Sequence, residues 1–213
     1  MARHKPISPL RSSRSFQRRA GQISPRAITL IVCEGETERE YFEAARIHYK
    51  LTTAEIVLAE NTVGSAPISV VQCAEDKCAE RGGYDKVFCV FDRDGHESFQ
   101  RARDRSRTLK SRKRFLSPIE EAISVPCFEF WVLLHFERTD RQFDHCSDVV
   151  DWIRDQHVPG YTKADAAIAR KLIVRVQDAL THANWLEGRA ENNNYDPDTS
   201  IHHVLRHFAQ VAN

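Results

Sequence analysis

Short apolar runs alternate along the chain with longer stretches at helical spacing, and that alternation predicts a fold class before any single residue is considered. ITLIVC (Ile28–Cys33) is apolar and β-branched, as a buried strand requires, and TEREYFEAARIH (Thr37–His48) then places Tyr41, Phe42, Ala45 and Ile47 near the 3.6-residue period of a helix. A second strand is expected at Ala54–Leu58. After the loop ENTVGSA, Pro67 suits the first turn of a helix that runs to about Glu80, where Gly82 and Gly83 stop it. KVFCVFD (Lys86–Asp92) reads as a strand buried on both faces of a parallel sheet. Glu121–Val125 is expected as a further strand, and CFEFWVLLHF, after Pro126, as an apolar helix. Helices are predicted in the distal third at Asp148–Asp155, Ala164–Leu186 and Thr199–Val211, joined by polar links. Strands and helices thus alternate through residues 27–136, which predicts an α/β core with a parallel sheet and right-handed crossovers. Residues 137–213 are expected as a helical part packed on that core.

Charge changes this picture, because a formal net charge of +1 hides a segregation. The first 26 residues carry seven Lys or Arg and no acid, and RARDRSRTLKSRKR (101–114) carries eight basic residues and one acidic one. The remainder is therefore strongly acidic. Low hydrophobicity with Pro, Ser and Arg predicts that the 1–26 tail is disordered when free. Two basic clusters on an acidic body point to a polyanion partner, since Lys and Arg neutralise phosphates and release counterions. The second cluster, with Arg101, Arg103, Arg105 and Arg107, is either such a contact or a solvated arginine-rich helix.

Cysteines occur at 33, 73, 78, 89, 127 and 146 without a CxxC pair, so all six are expected to be reduced. No apolar run approaches a membrane span, and the basic N-terminus lacks the apolar stretch of a secretory signal. A cytoplasmic location without membrane contact is the expectation.

Candidate chemistry sits where the strands stop. The first strand ends on Glu34 and Gly35, the glycine being expected to let the chain turn into the following helix. The Lys86–Asp92 strand ends in FDRDG, where Asp92 and Asp94 are two apart and share one side of an extended backbone. Adjacent carboxylates are unfavourable without a cation, and oxygen ligands of this kind suit Mg²⁺ or Mn²⁺. Were the two strands neighbours, Glu34, Asp92 and Asp94 would converge at one edge, as metal-assisted phosphoryl transfer requires. Glu129 is the one charged residue between Val125 and Phe136, so it either lines an exposed stripe or is buried with a cation. Lys163, after Gly160 and Tyr161, is either a surface lysine or a phosphate contact. His203 and His207 are four apart on an expected helix but lack an acidic HExxH context, and together with His135 and His202 they are read as surface or packing residues.

LIVCEGETE followed by VFDRD resembles the Toprim motif set shared by topoisomerases, DnaG-type primases and OLD-type nucleases. IVCEGETEREYF, VFCVFDRDG, ISVPCFEFWVLLHF, GYTK and NYDPDTSI are similar, more closely, to the RloB-like (AbiLii-like) family, from residue 28 to about 205. The resemblance implies a Toprim-like core and a nuclease of bacterial anti-phage defence, cleaving DNA or RNA with Mg²⁺ or Mn²⁺ and controlled by an AAA- or SMC-like ATPase partner. It carries over Glu34 as acid/base or ligand, Asp92 and Asp94 as ligands, and Glu38 and Glu129 as additional members. Val125 and Asp196 depart from the family's late motifs, each standing where an Asn is expected before proline. The alternative is a non-catalytic nucleic-acid-binding or regulatory subunit of an ATPase-containing complex. A homo-oligomer is compatible with either.

Overall fold

The structure, a computed structural model, describes residues 27–59, 66–93, 95–111, 119–190 and 196–212. The basic tail 1–26, Asp94 and the end of the second basic cluster from Arg112 lie outside the described residues. Elements follow in the order β1 (Thr29–Cys33), α1 (Glu36–His48), β2 (Ala54–Leu58), α2 (Pro67–Glu80), β3 (Lys86–Asp92), α3 (Phe99–Ser111), β4 (Ile119–Val125) and α4 (Phe128–Leu133). Then come α5 (Cys146–Gln156), α6 (Ala166–Ile173), α7 (Val176–Ala190), β5 (Asp198–Thr199) and α8 (Ile201–Val211). The protein is an α/β fold. Its five-stranded sheet has the order β2-β1-β3-β4-β5, with β1 to β4 parallel and β5 antiparallel to β4.

Alternation along the strands divides the core in two, because successive side chains leave opposite faces of a sheet. Ile31 and Cys33 of β1 and Phe88 and Val90 of β3 join a large apolar cluster with α1 and α4 to α8. Leu30 and Val32, with Val87, Cys89 and Phe91, face a smaller cluster built on α2 and α3. Burial on both faces explains why β1 and β3 are apolar at nearly every position. Aromatic edges knit the larger layer: Phe42 of α1 meets Phe128 of α4 at 6.2 Å and Phe208 of α8 at 6.4 Å between ring centroids.

The chain leaves β1 through α1 on one face and leaves β3 through α3 on the other. Between these adjacent strands the winding reverses, and such a switch point opens a crevice beyond the strands' carboxyl ends. Glu34 N–H donates to Val90 O at 3.0 Å, which carries the pairing of β1 with β3 to the lip of that crevice.

Three differences from the sequence reading have physical causes. The helix expected over Ala164–Leu186 is two: Asp165 caps the first by accepting from Ala167 N–H and Ile168 N–H, and a tight turn in which Arg175 N–H donates to the Leu172 carbonyl at 2.8 Å separates its end at Ile173 from the second helix at Val176. Thr199, expected to open a helix, instead pairs with Ser124 in β5, and the helix begins at Ile201. Ile47, expected on the apolar stripe of α1, is exposed. No helix among the described residues is long and apolar enough to cross a membrane.

Phe42 is wholly buried where α1, α4 and α8 meet. Phe42→Ala is therefore expected to cost about 3–5 kcal/mol of unfolding free energy in a urea titration; a loss below about 1 kcal/mol would show that the layers are not packed through this ring.

Candidate active site at the carboxyl ends of the central strands

A cavity of about 280 Å³ lies in the switch-point crevice, lined by Glu34, Gly35, Thr37, Glu38, Asp92, His96, Phe128, Glu129 and Lys163. Glu34 and Asp92 arrive from neighbouring strand ends, and Asp92 N–H donates to Glu34 Oε2 at 3.1 Å. Glu38 arrives in the first turn of α1 and Glu129 in the first turn of α4, both nearly sealed from solvent. Four carboxylates from four segments share one space. Asp94 lies outside the described residues.

Gly35 has a different role from the one expected of it. Its backbone is extended, with φ −128° and ψ 166°, so any residue could make that turn. A Cβ there would instead stand 2.7 Å from Glu38 Oε2. The glycine leaves room for the Glu38 carboxylate, which folds back over it and which a larger residue would push aside.

Lys163 reaches the cavity from the α5–α6 connection, where its Nζ lies 3.1 Å from Glu129 Oε2. The connection is tied down on both sides. Ala164 N–H donates to Thr37 Oγ1 at 3.1 Å, and Arg154 Nε donates to the Tyr161 carbonyl at 2.9 Å, with the Tyr161 ring buried beneath. Half of the Lys163 side chain remains exposed against 2% of Glu129. The alternative open for Glu129 thus resolves to a carboxylate buried beside a cation, while Lys163 keeps its head at the mouth of the cavity.

The electrostatics follow from this crowding. Burial, opposed by its own backbone N–H and reinforced by Glu129 and Glu34, raises Glu38 from 4.5 to about 8. Asp92 is raised well above the carboxylate range, by burial first and then by Glu38 and Glu129, while the Phe128 N–H opposes the shift. Lys163 is the one Lys or Arg among the described residues that line the cavity. At neutral pH Glu38 therefore keeps a proton that a divalent cation could replace, and the donors of the site are hard oxygens, which fit Mg²⁺ or Mn²⁺. Thr37 and His96 also line the cavity, although the sequence reading passed over both. His96 directly follows FDRDG, a position that could have marked it. Ser98 N–H donates to His96 Nδ1 at 3.1 Å, so the neutral ring carries its proton on Nε2.

The cysteine expectation requires correction. Cys127, just before α4, and Cys146, the first residue of α5, form a disulfide across 19 positions of sequence, while Cys33, Cys73, Cys78 and Cys89 are free. No CxxC spacing could announce this bridge, because the packing of α4 on α5 brings the two residues together. Cys146 Sγ stands 3.1 Å from Glu129 Oε2 and 3.2 Å from Lys163 Nζ, so the bridge lies against the Glu129–Lys163 pair.

The basic helix lies apart from this cluster. α3 packs on the other face of the sheet, where Arg103 pairs with Glu121, Arg105 with Glu75 and Arg107 with Asp104. Arg101 is exposed near its start. Acidic partners on the body partly neutralise a helix that looks uniformly cationic in the sequence.

A family model described as RloB-like protein matches residues 29–208, from the first residue of β1 into α8, and so covers every segment of the cavity. No curated protein and no solved structure matches the chain.

Folded Glu38 holds its proton more tightly than the unfolded chain does, so its favourable contribution is complete below about pH 4.5 and is lost as pH rises through about 8. Cation-free protein is expected to lose unfolding free energy over that window in a series of denaturant titrations, and Mg²⁺ or Glu38→Gln is expected to flatten the slope. A wild-type profile flat across the window would show that Glu38 is charged and relaxed.

Proposed function

Since this chain belongs to the RloB-like family, we propose that it is a divalent-cation-dependent nuclease of the Toprim type, hydrolysing phosphodiester bonds of DNA or RNA. The observation that supports this reading is the meeting of Glu34, Glu38, Asp92 and Glu129 in one solvent-reached cavity with Lys163 at its mouth. A module that only bound nucleic acid would gain nothing from concentrating negative charge where phosphates must come. Glu34, Asp92 and, by its motif, Asp94 would hold Mg²⁺ or Mn²⁺, with Glu38 beside them. When bound, the cation supplies charge neutralisation and Lewis acidity at the phosphate.

The chain's own residues divide the remaining work. Glu34, oriented by the Asp92 N–H, is the candidate to take a proton from the attacking water or to hold the cation. Lys163, half exposed, meets a non-bridging phosphate oxygen while Glu129 keeps its ammonium in place. His96 offers Nε2–H to an oxygen of the scissile group. Substrate approach depends on backbone charge, which distinguishes neither sequence nor sugar. The family resemblance adds the setting of anti-phage defence with an ATPase partner in control.

Cleavage of mixed DNA and RNA substrates by wild type, Glu34→Gln and Asp92→Asn tests the proposal, with Mg²⁺, with Mn²⁺ and with EDTA, alone and with a neighbouring ATPase. Wild type should cleave only with a cation, and each substitution should lower the rate about 100-fold or more. Equal activity in all three proteins would leave the non-catalytic reading. Gly35→Ala should lower the rate at least about tenfold by displacing Glu38, with a change in stability below about 1 kcal/mol; unaltered cleavage would remove Glu38 from the active geometry.

A further inference from the structure

Away from the carboxylate cavity, the end of α7 meets the start of α8 through three side chains that could hold a metal ion. Glu187 Oε2 lies 3.2 Å from His202 Nε2, and Glu187 Oε1 lies 3.1 Å from His203 Nε2. One donor atom from each residue falls within 4.8 Å of the others. The two imidazoles are neighbours in sequence, yet both rings turn toward one carboxylate, with their centroids 4.1 Å apart and their planes tilted by 38°. We propose that Glu187, His202 and His203 form a binding site for a borderline transition-metal ion of the Zn²⁺ class, separate from the carboxylate cavity.

Donor geometry carries the argument. One zinc ion with bonds of about 2.0–2.1 Å needs its donor atoms about 3.3 Å apart, and one donor atom from each of the three side chains already lies within 4.8 Å of the others. Two imidazoles and one carboxylate form a donor set that zinc, cobalt and nickel accept and that Mg²⁺, which prefers oxygen and water, does not. Exposure fits as well. His202 is buried, whereas the side chains of His203 and Glu187 are 41% and 48% exposed, so solvent can complete the coordination from one side.

An independent observation concerns His202 alone. Its ring is 1% exposed and its Nδ1 has no hydrogen-bond partner among the described residues, which is a cost of burying the imidazole. A contact at Nε2 stronger than a hydrogen bond to a half-exposed carboxylate would compensate that cost. The competing cation is Arg206, whose Nη1 stands 3.9 Å from Glu187 Oε2 while its other amino group is engaged by Asn184. The guanidinium is thus held to one side, leaving the imidazole-facing edge of the carboxylate to the ion.

Such an ion would fasten the segment that links β5 to the rest of the molecule. Asp196 at its start pairs with Arg93, next to Asp92, and Thr199 Oγ1 meets Ser124 Oγ at 3.1 Å.

Calorimetric titration of the metal-stripped full chain with Zn²⁺, in excess Mg²⁺ to occupy the carboxylate cavity, tests the site. One equivalent should bind at micromolar or tighter Kd, and Glu187→Gln and His203→Ala should each weaken it at least about tenfold. Both substitutions fall on half-exposed side chains, and a matching Co²⁺ complex of wild type should show d–d bands without thiolate charge transfer. Absence of Zn²⁺ binding, affinity unchanged in both variants, or a thiolate signature would each overturn the proposal.

Discussion

Mutual repulsion among carboxylates crowded into one cavity is the constraint on which the rest of this structure depends. Glu34, Glu38, Asp92 and Glu129 cannot all be charged side by side unless something positive enters or protons remain, and Lys163 compensates only one of them. The scaffold is arranged to sustain that tension. Parallel strands buried on both faces fix the ends of β1 and β3, the reversal of winding opens the crevice between them, and a glycine makes room for Glu38 to fold back. An apolar layer of α1, α4 and α8 holds the two remaining carboxylates in place from behind.

Much of this was legible in the sequence because it depends on local pattern. Uniformly apolar strands, Pro67 at a helix start and the order strand–helix–strand follow from side-chain periodicity, and the bounds of β2, α2 and β3 agree with that reading. Glu34 and Asp92 could be placed at strand ends for the same reason, and their meeting required only that β1 and β3 be neighbours. Glu129 stood out by isolation, as a single charge in a run of aromatic and aliphatic residues.

What could not be read depends on contacts between distant segments. Cys127 and Cys146 meet only because α4 packs on α5, and neither residue's surroundings in sequence point to the other. The arginines of α3 look free in one dimension, yet Glu75 and Glu121 come from elements on either side of the helix. Glu187 precedes His202 by fifteen residues, so the grouping of one glutamate with two adjacent histidines appears only once α7 turns back on α8. Gly35 shows a subtler limit: its presence was evident and its purpose was not, because the close neighbour is a side chain three residues on.

Proton release on cation binding probes the central claim most directly. If the cavity holds protons at neutral pH because its carboxylates repel one another, Mn²⁺ should displace them, and the heat of binding at pH 7 should vary with the ionisation enthalpy of the buffer in proportion to the protons released. Glu34→Gln with Asp92→Asn should abolish both the binding and that dependence. Binding with no buffer dependence, or no loss in the double variant, would mean that the four carboxylates do not act as one cation site.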